Sequence, residues 1–510
     1  MTSISPLSRA TPAAAPASSA TSAAAPGAPA AVAGAPVPQA GESTVVSLGG
    51  AAEKPTTPSL VWENRFRSAS STLMARNFTD QAPAGRLKGL GAELLKQVAY
   101  DGADFAQSVQ QAPAGVDAGT YDMLVMPAQV SQHGMGDNQF KLSITTRSGV
   151  KVDLALDAGD NSIAVDVRSS AKLNDAEREA LRKLADAFQH SIDGLAEGRI
   201  DLGGLTQFDS GVLSSVDLKA QIKLGPAETQ QLQFHADTRQ RTVSFTGPAG
   251  SAKIGVDLSQ PASWGSKEQQ AKALNRYLQQ VDQAGLRGQG NGNMLGMFKD
   301  AFTAMNSDYG KPAPRAIYLS DQDRALTTGL ADFTASMSQT EVASNPMRAT
   351  EKDTFAYELS QKTSITGHTQ LDRAITQQQQ SRLKATYHEP IKADARLALD
   401  LRPESQNYKF VSIDDSASSK TSIGYEKGAL VQAALAMQAS QTSRVLTYTL
   451  GKLKDDHTTP SAKASTRDLL TTLEPERAGL PTLDGDQRER MLSKLNEQIF
   501  LQSNPNAIAG

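Results

Sequence analysis

Phe140-Lys141-Leu142-Ser143-Ile144, a Ser148-Gly149 turn, then Val150-Lys151-Val152-Asp153-Leu154-Ala155-Leu156: this stretch decides the fold. Apolar and polar residues alternate with a period of two, the pattern of a strand with one buried and one wet face. Ala158-Gly159-Asp160-Asn161 supplies a second turn before Ile163, Val165 and Val167 alternate again. The spacing predicts a three-stranded antiparallel meander. A helix follows it. Asn174 can cap that helix, and Glu177 three residues on completes a capping box. Leu181, Leu184, Phe188, Ile192 and Leu195 then recur at helical steps and form one buried stripe, ending at Gly198.

The same order recurs downstream. Val216, Leu218, Ala220, Ile222 and Leu224 alternate, as do Leu232 and Phe234, Val243 and Phe245, and Ile254, Val256 and Leu258. Ser266 and Gln269 mark a second helix start, with Leu274, Leu278 and Val281 on its face. Meander then helix, twice, suggests two related α+β units, although no residue-level identity between them proves duplication. Met294, Phe298, Ala301, Phe302 and Met305 predict a further helix. Leu326, Leu330, Phe333 and Met337, capped by Ser320, predict another.

On the N-terminal side, Trp62, Phe66, Leu73 and Met74 fall at helical spacing. Leu87, Leu90, Leu94, Val98, Phe105 and Val109 read as one amphipathic helix with Gly102 as a weak point. In the last third, Phe355 to Leu359, Leu383 to Tyr387, Leu397 to Leu401, Tyr408 with Phe410, Ile423 with Tyr425, and Val445 to Leu450 read as strands. The polar run Gln377 to Gln380 is compatible with strand, helix or loop. A final helix from Gln487 to Phe500 carries Met491, Leu492, Leu495, Ile499 and Phe500. The expected fold class is therefore α+β: antiparallel meanders each followed by helices, then a β-rich C-terminal domain. The expected boundaries are a disordered head at 1–56, a helical lead-in at 57–115, an α+β domain at 116–345, a mostly β domain at 351–480 and a helix at 485–502.

The head is Ala, Pro, Ser, Thr and Gly almost throughout, with Arg9 its single basic residue and no acidic residue before Glu42. It has too little bulky apolar surface to offset the entropy of ordering. No basic n-region or continuous apolar run of a standard secretory signal is present, and no window offers a membrane helix, so a soluble chain is expected. In composition, Met1-Thr2-Ser3-Ile4-Ser5-Pro6-Leu7-Ser8 resembles the N-termini of bacterial type III secretion substrates. That resemblance covers about the first 25 residues and rests on no strict motif. It implies export by a non-Sec route and a secreted or surface location. A linker or tail on a cytoplasmic protein has the same composition.

The 510 residues contain no cysteine, which excludes disulfides, thiolate metal sites and a cysteine nucleophile. Its absence also fits passage through a secretion channel. A net charge of −3 gives no electrostatic case for nucleic acid. Aromatic residues make up 5%, which argues against stacking platforms for single strands or carbohydrate.

No motif assembles a site. His133, His190, His235, His368, His388 and His457 show no pair at ligand spacing on one helix face. Gly288-Gln289-Gly290-Asn291-Gly292 precedes a helix but lacks the Lys-Ser/Thr of a phosphate loop and a preceding strand, so it reads as a helix–helix connection. Ser-x-x-Lys occurs at Ser148/Lys151, Ser169/Lys172 and Ser381/Lys384, none in the helical setting that lets lysine activate serine. Asp414-Asp415 and the Asp157 to Asp160 loop lack the ligand ladder of a calcium hand. No catalytic, cofactor or metal residue is therefore assigned. The expected function is a non-enzymatic interaction or structural protein, bacterial, with a protein partner bound by strand addition to a meander edge. An effector enzyme with a dispersed active site and a cytoplasmic accessory protein are the alternatives.

Overall fold

Alternation at Phe140–Ile144 and beyond is realised as one antiparallel sheet in a computed structural model that describes residues 60–64, 68–80, 83–112, 133–310, 317–475 and 481–508. The Ala/Pro/Ser head and Phe66 lie outside those residues. By contacts the chain divides into Met1–Pro55 and Thr56–Gly510. The sheet belongs to the second unit. Its strands are β1 (Leu60–Trp62), β2 (Phe105–Gln111), β3 (Asn138–Thr146), β4 (Lys151–Ala158), β5 (Ser162–Ser169), β6 (Leu213–Gly225), β7 (Glu228–Asp237), β8 (Gln240–Gly247) and β9 (Gly250–Asp257). They continue with β10 (Asp332–Gln339), β11 (Thr354–Thr366), β12 (Ala374–Pro390), β13 (Tyr408–Glu426), β14 (Ala429–Thr449) and β15 (Lys452–Asp468). Their order across the sheet is β1-β2-β5-β4-β3-β6, then consecutively to β15.

Two helical excursions interrupt the meander and return the chain to the next place in the sheet. The first leaves β5 through α3 (Asp175–Ala196) and α4 (Gly203–Thr206) and re-enters as β6 beside β3. The Asn174–Glu177 capping box starts α3 as expected, and Leu181, Leu184, Phe188, Ile192 and Leu195 are buried. Each such side chain contributes roughly 1.5–3 kcal/mol of transfer free energy. The second leaves β9 through α5 (Lys267–Gly288), α6 (Gly292–Met305) and α7 (Asp321–Ala325) and returns as β10 beside β9. On α5 the buried line runs through Ala273, Tyr277, Val281 and Ala284, while Leu274 and Leu278 flank it, half-buried.

Three expected elements differ. The helix expected from Leu87 to Val109 stops as α2 (Leu90–Asp101), because Gly102 takes a left-handed conformation as its cap. Phe105 and Val109 then sit in β2 and Trp62 in β1, while the first helix, α1 (Ala69–Asn77), starts at a Ser68 cap. The helix expected over Leu326–Met337 is only the single turn α7 with its Ser320 cap. Gly329 then turns the chain at φ +81°, and Phe333, Ala335 and Met337 are the buried alternation of β10. Leu397–Leu401 forms no strand; the loop between β12 and β13 is held instead by Gln406, which donates to the Asp400 carbonyl.

The C-terminal part is β-rich, and strand pairing runs without a break from β10 to β11, past the boundary expected near residue 351. Tyr408 and Ile423 belong to one 19-residue strand, β13. After β15 come α8 (Leu470–Leu473) and α9 (Gly485–Gln498), whose Asp484–Gln487 capping box leads to buried Leu495, Ile499 and Phe500.

Candidate functional site

Directly opposed residues share a face of a sheet, so the register reads out each face as rows. On the helix-covered face one row runs Phe105, Val167, Leu154, Leu142, Leu218, Phe234, Val243, Ile254, Ala335 and Leu359. It continues as Ser381, Ala417, Ala439 and Lys463. Large apolar side chains give way to small ones, and the row ends on an exposed lysine.

Beyond β10 buried polar groups join Phe355, Leu359, Ile375, Leu383 and Ile413 in holding the covered face. The row Gln361, Gln379 and Ser419 lies opposite two irregular backbone segments. Gln361 donates to the Leu330 carbonyl at 2.9 Å and accepts from Tyr277 Oη at 2.8 Å. Gln379 donates to the Ile499 carbonyl at 2.9 Å and accepts the Leu501 N–H at 3.1 Å, while Ser419 donates to the same Ile499 carbonyl. Gln377 accepts the Thr328 N–H at 2.8 Å. The glutamine run is therefore strand, its odd members satisfying backbone groups that would otherwise be buried unpaired.

The opposite face carries the polar row Thr334, Ser360, Gln380, Ser418 and Gln438, beside Lys253, Ser336, Glu358, Arg382, Ser416 and Ser440. Apart from Ser440, these residues line a trough of about 710 Å³. Toward the end of the long strands the same face is closed by the segment 341–353. His388 of β12 sits between the rings of Tyr408 and Phe410, its Nδ1 2.6 Å from Asp353 and its Nε2 3.5 Å from Glu351. Ser344 donates to Asp353, and Tyr408 donates to Glu351 at 2.6 Å. Burial pushes the Asp353 carboxyl up, but the hydrogen bonds from His388 and Ser344 outweigh it and hold the group below its ordinary value. Burial and the Glu351 charge push the Tyr408 hydroxyl up. With its side chain 1% exposed, His388 cannot meet a substrate. The cluster is a latch that fastens 341–353 to β12 and β13.

The other sequence candidates do not converge. His190, His368 and His457 are exposed. His133 contacts Glu63 at 2.8 Å. His235 lies between Asp217 and Asp237; burial lowers its pKa, but both carboxylates more than offset that and raise it. Ser381 and Lys384 point to opposite faces of β12, so they cannot form an acyl-enzyme pair. Ser148 donates to Glu177, and Ser169 donates to the Ala171 carbonyl. Asp414 faces the trough while Asp415, on the covered face, binds Arg287. Asp157 accepts the Gly134 N–H, and the Asp160 carbonyl accepts from Arg86. Gly288 lets α5 approach the sheet: a Cβ there would lie 2.9 Å from Phe355 and 3.0 Å from Ala385. Among the described residues no group of three His, Cys, Asp or Glu side chains could hold a metal, and no helix is long and apolar enough to cross a membrane.

The open feature is β15. Among the described residues no strand pairs with its outer edge, and its 17 residues are exposed or half-exposed on both faces. The Leu469 N–H donates to the Ala433 carbonyl. In an antiparallel ladder inward and outward residues alternate, so odd-numbered residues of β15 bond to β14 and even-numbered ones, from Asp456 to Asp468, point outward. Pro460 is among the outward set, where its missing N–H costs the ladder nothing. Periodicity alone could not have found this edge, since Lys452–Asp468 has no apolar alternation. Its signal is a long Thr-, Lys- and Ser-rich segment with a central proline. No family model, curated protein or solved structure matches this chain.

Proposed function

We propose that the chain is a non-enzymatic interaction protein, exported from a bacterium by a non-Sec route of the type III kind, that engages a protein partner by strand addition at β15. One observation carries the binding half: among the described residues, a 17-residue edge strand exposed or half-exposed on both faces, whose even-numbered N–H and C=O groups point away from β14. Strand addition supplies affinity through just such main-chain groups. A protein partner fits better than nucleic acid because the net charge is −3. The export half is supported by the acid-free, Ser-rich first residues and by the absence of cysteine.

A paired experiment tests both halves. Source cells expressing the full chain, or the chain without residues 2–50, are fractionated and blotted. The full chain is expected in the medium or on the surface, and the shortened chain inside; both chains inside the cells overturn the export reading. Pull-downs then compare the full chain with Ala462→Pro/Ala464→Pro, which removes two outward N–H donors and leaves the β14 ladder intact. A partner retained equally by both proteins overturns the edge reading.

A further inference from the structure

We infer that the partner at the β15 edge is a second copy of this chain, paired antiparallel about a two-fold axis at Thr459. The inference rests on the edge reading above and adds its occupant and register. Among the described residues five charges on β15 are exposed and make no ion pair within the chain, Lys452, Lys454, Asp455, Lys463 and Asp468, and of these Asp455 and Lys463 share the odd-numbered face. By contrast, Asp456 on the same strand is taken by Arg444, and Arg467 by Gln498. Asp455 lies four residues before Thr459 and Lys463 four residues after it. An antiparallel pair centred on Thr459 therefore sets Asp455 of each copy directly opposite Lys463 of the other, twice.

The ladder parity agrees. Asp455, Thr459 and Lys463 are odd-numbered, so they bond inward to β14 and fall at non-hydrogen-bonded positions of the new pair, where opposed side chains are closest. The outward residues then face each other: Asp456 opposite Ala462, and Thr458 opposite Pro460. Proline gives up one N–H on each strand, while the Thr458 N–H still donates to the Pro460 carbonyl. Centring on Ser461 opposes Asp455 to Arg467 and Lys454 to Asp468, but Arg467 already donates to Gln498 and Asp468 already accepts the Leu470 N–H. Centring on Pro460 sets two prolines face to face and loses both bonds of that pair, and also opposes His457 to Lys463. Centring on Lys463 opposes that lysine to itself. The charges and the proline that blunt the edge against arbitrary strands thus leave it complementary to itself in this register. The two-fold would join the β-rich ends of two sheets, since no strand pairs beyond β15 among the described residues.

The chain has no cysteine, so single substitutions read the register directly. Thr459→Cys at the axis places two Cα atoms about 4.5 Å apart, within disulfide range. Thr466→Cys, seven residues away, lies far from its own copy. In sedimentation velocity the full-length wild type is expected as a dimer. Under mild oxidation Thr459→Cys should form a covalent dimer and Thr466→Cys should not. Lys463→Asp and Asp455→Lys alone should each weaken the dimer about tenfold, since each replaces two attractions by two repulsions, and the double exchange should restore it. A monomer at every concentration overturns the second-copy inference, as does a dimer in which Thr466→Cys links and Thr459→Cys does not. Ala462→Pro/Ala464→Pro separates the two levels. If the wild type is monomeric but loses a captured partner in this variant, the edge reading stands and self-pairing falls. If a wild-type dimer survives the two prolines unweakened, self-pairing at this edge falls.

Discussion

The two ends of the sheet obey different rules. From β3 to β10 the covered face is apolar, and helices α3, α5 and α6 pack on it: Leu142, Leu218, Phe234, Val243 and Ile254 lie in one row and all are buried. From β12 to β15 the same row shrinks to Ser381, Ala417 and Ala439, and ends on Lys463. At the first end the non-directional hydrophobic effect holds the sheet. At the second, directional hydrogen bonds from Gln361, Gln377, Gln379 and Ser419 pin irregular segments to the strands. The last strand, among the described residues, is exposed or half-exposed along its whole length.

The largest effect separating the two ends should come from truncation within that shared row. Phe234→Ala should cost about 3–5 kcal/mol by transfer and cavity terms, whereas Ala417→Gly should cost about 1 kcal/mol, through backbone entropy. Urea unfolding of both variants checks this, and equal losses would erase the distinction. Next in size is Gln379→Leu. It leaves the Ile499 carbonyl with Ser419 alone and the Leu501 N–H with no partner, at about 1–3 kcal/mol for the orphaned groups. The loss should be local, so hydrogen exchange should speed up over residues 499–508 before the β3–β5 meander responds.

Legibility followed the same division. The β3–β5 meander, the α3 cap and stripe and the α6 stripe could be read from the sequence because apolar periodicity is what stabilises them. The α5 face was read about one residue off, since Ala273 and Tyr277, rather than Leu274 and Leu278, point inward. Two helical readings misplaced real apolar residues. Steps of three and four through Leu326, Leu330, Phe333 and Met337 satisfy a helix, but Gly329 resets the period and the same residues serve a strand. Phe105 and Val109 were misread in the same way across Gly102. Polar strands carried little signal: glutamines 377 and 379 are buried for the backbone segments they bind, which lie 49 and 122 residues away in sequence. The His388 latch was invisible for that reason, its partners Asp353 and Tyr408 reaching it only through loop closure.

That latch gives the third test, through pH. Asp353 is held below its ordinary carboxylate value of 3.8 in the folded chain. A depressed carboxylate stabilises the fold above its unfolded pKa, and that contribution is lost as pH falls through the lower folded value. At pH 6, Asp353→Asn should therefore be less stable than the wild type by about 1 kcal/mol, in line with a partly buried hydrogen-bonded charge. The gap in melting temperature should narrow as pH drops below 3.8. A gap that stays constant with pH would mean that the carboxylate charge contributes nothing at the latch.

The smallest effect concerns β15 itself, and it decides whether that strand is merely loose or is built to be paired. Ser461 bonds inward to β14 and Ala462 points outward, so proline at these adjacent positions removes a ladder hydrogen bond in one case and none in the other. Ser461→Pro should cost about 1 kcal/mol of stability, and Ala462→Pro less than about 0.5 kcal/mol. If the two cost the same, the strand frays from β14 and its outward groups have no fixed direction; strand addition would then have no template. If they differ as expected, β15 is a held edge. Its free N–H and C=O groups are then preorganised, and a partner strand bonds to them without first having to order β15.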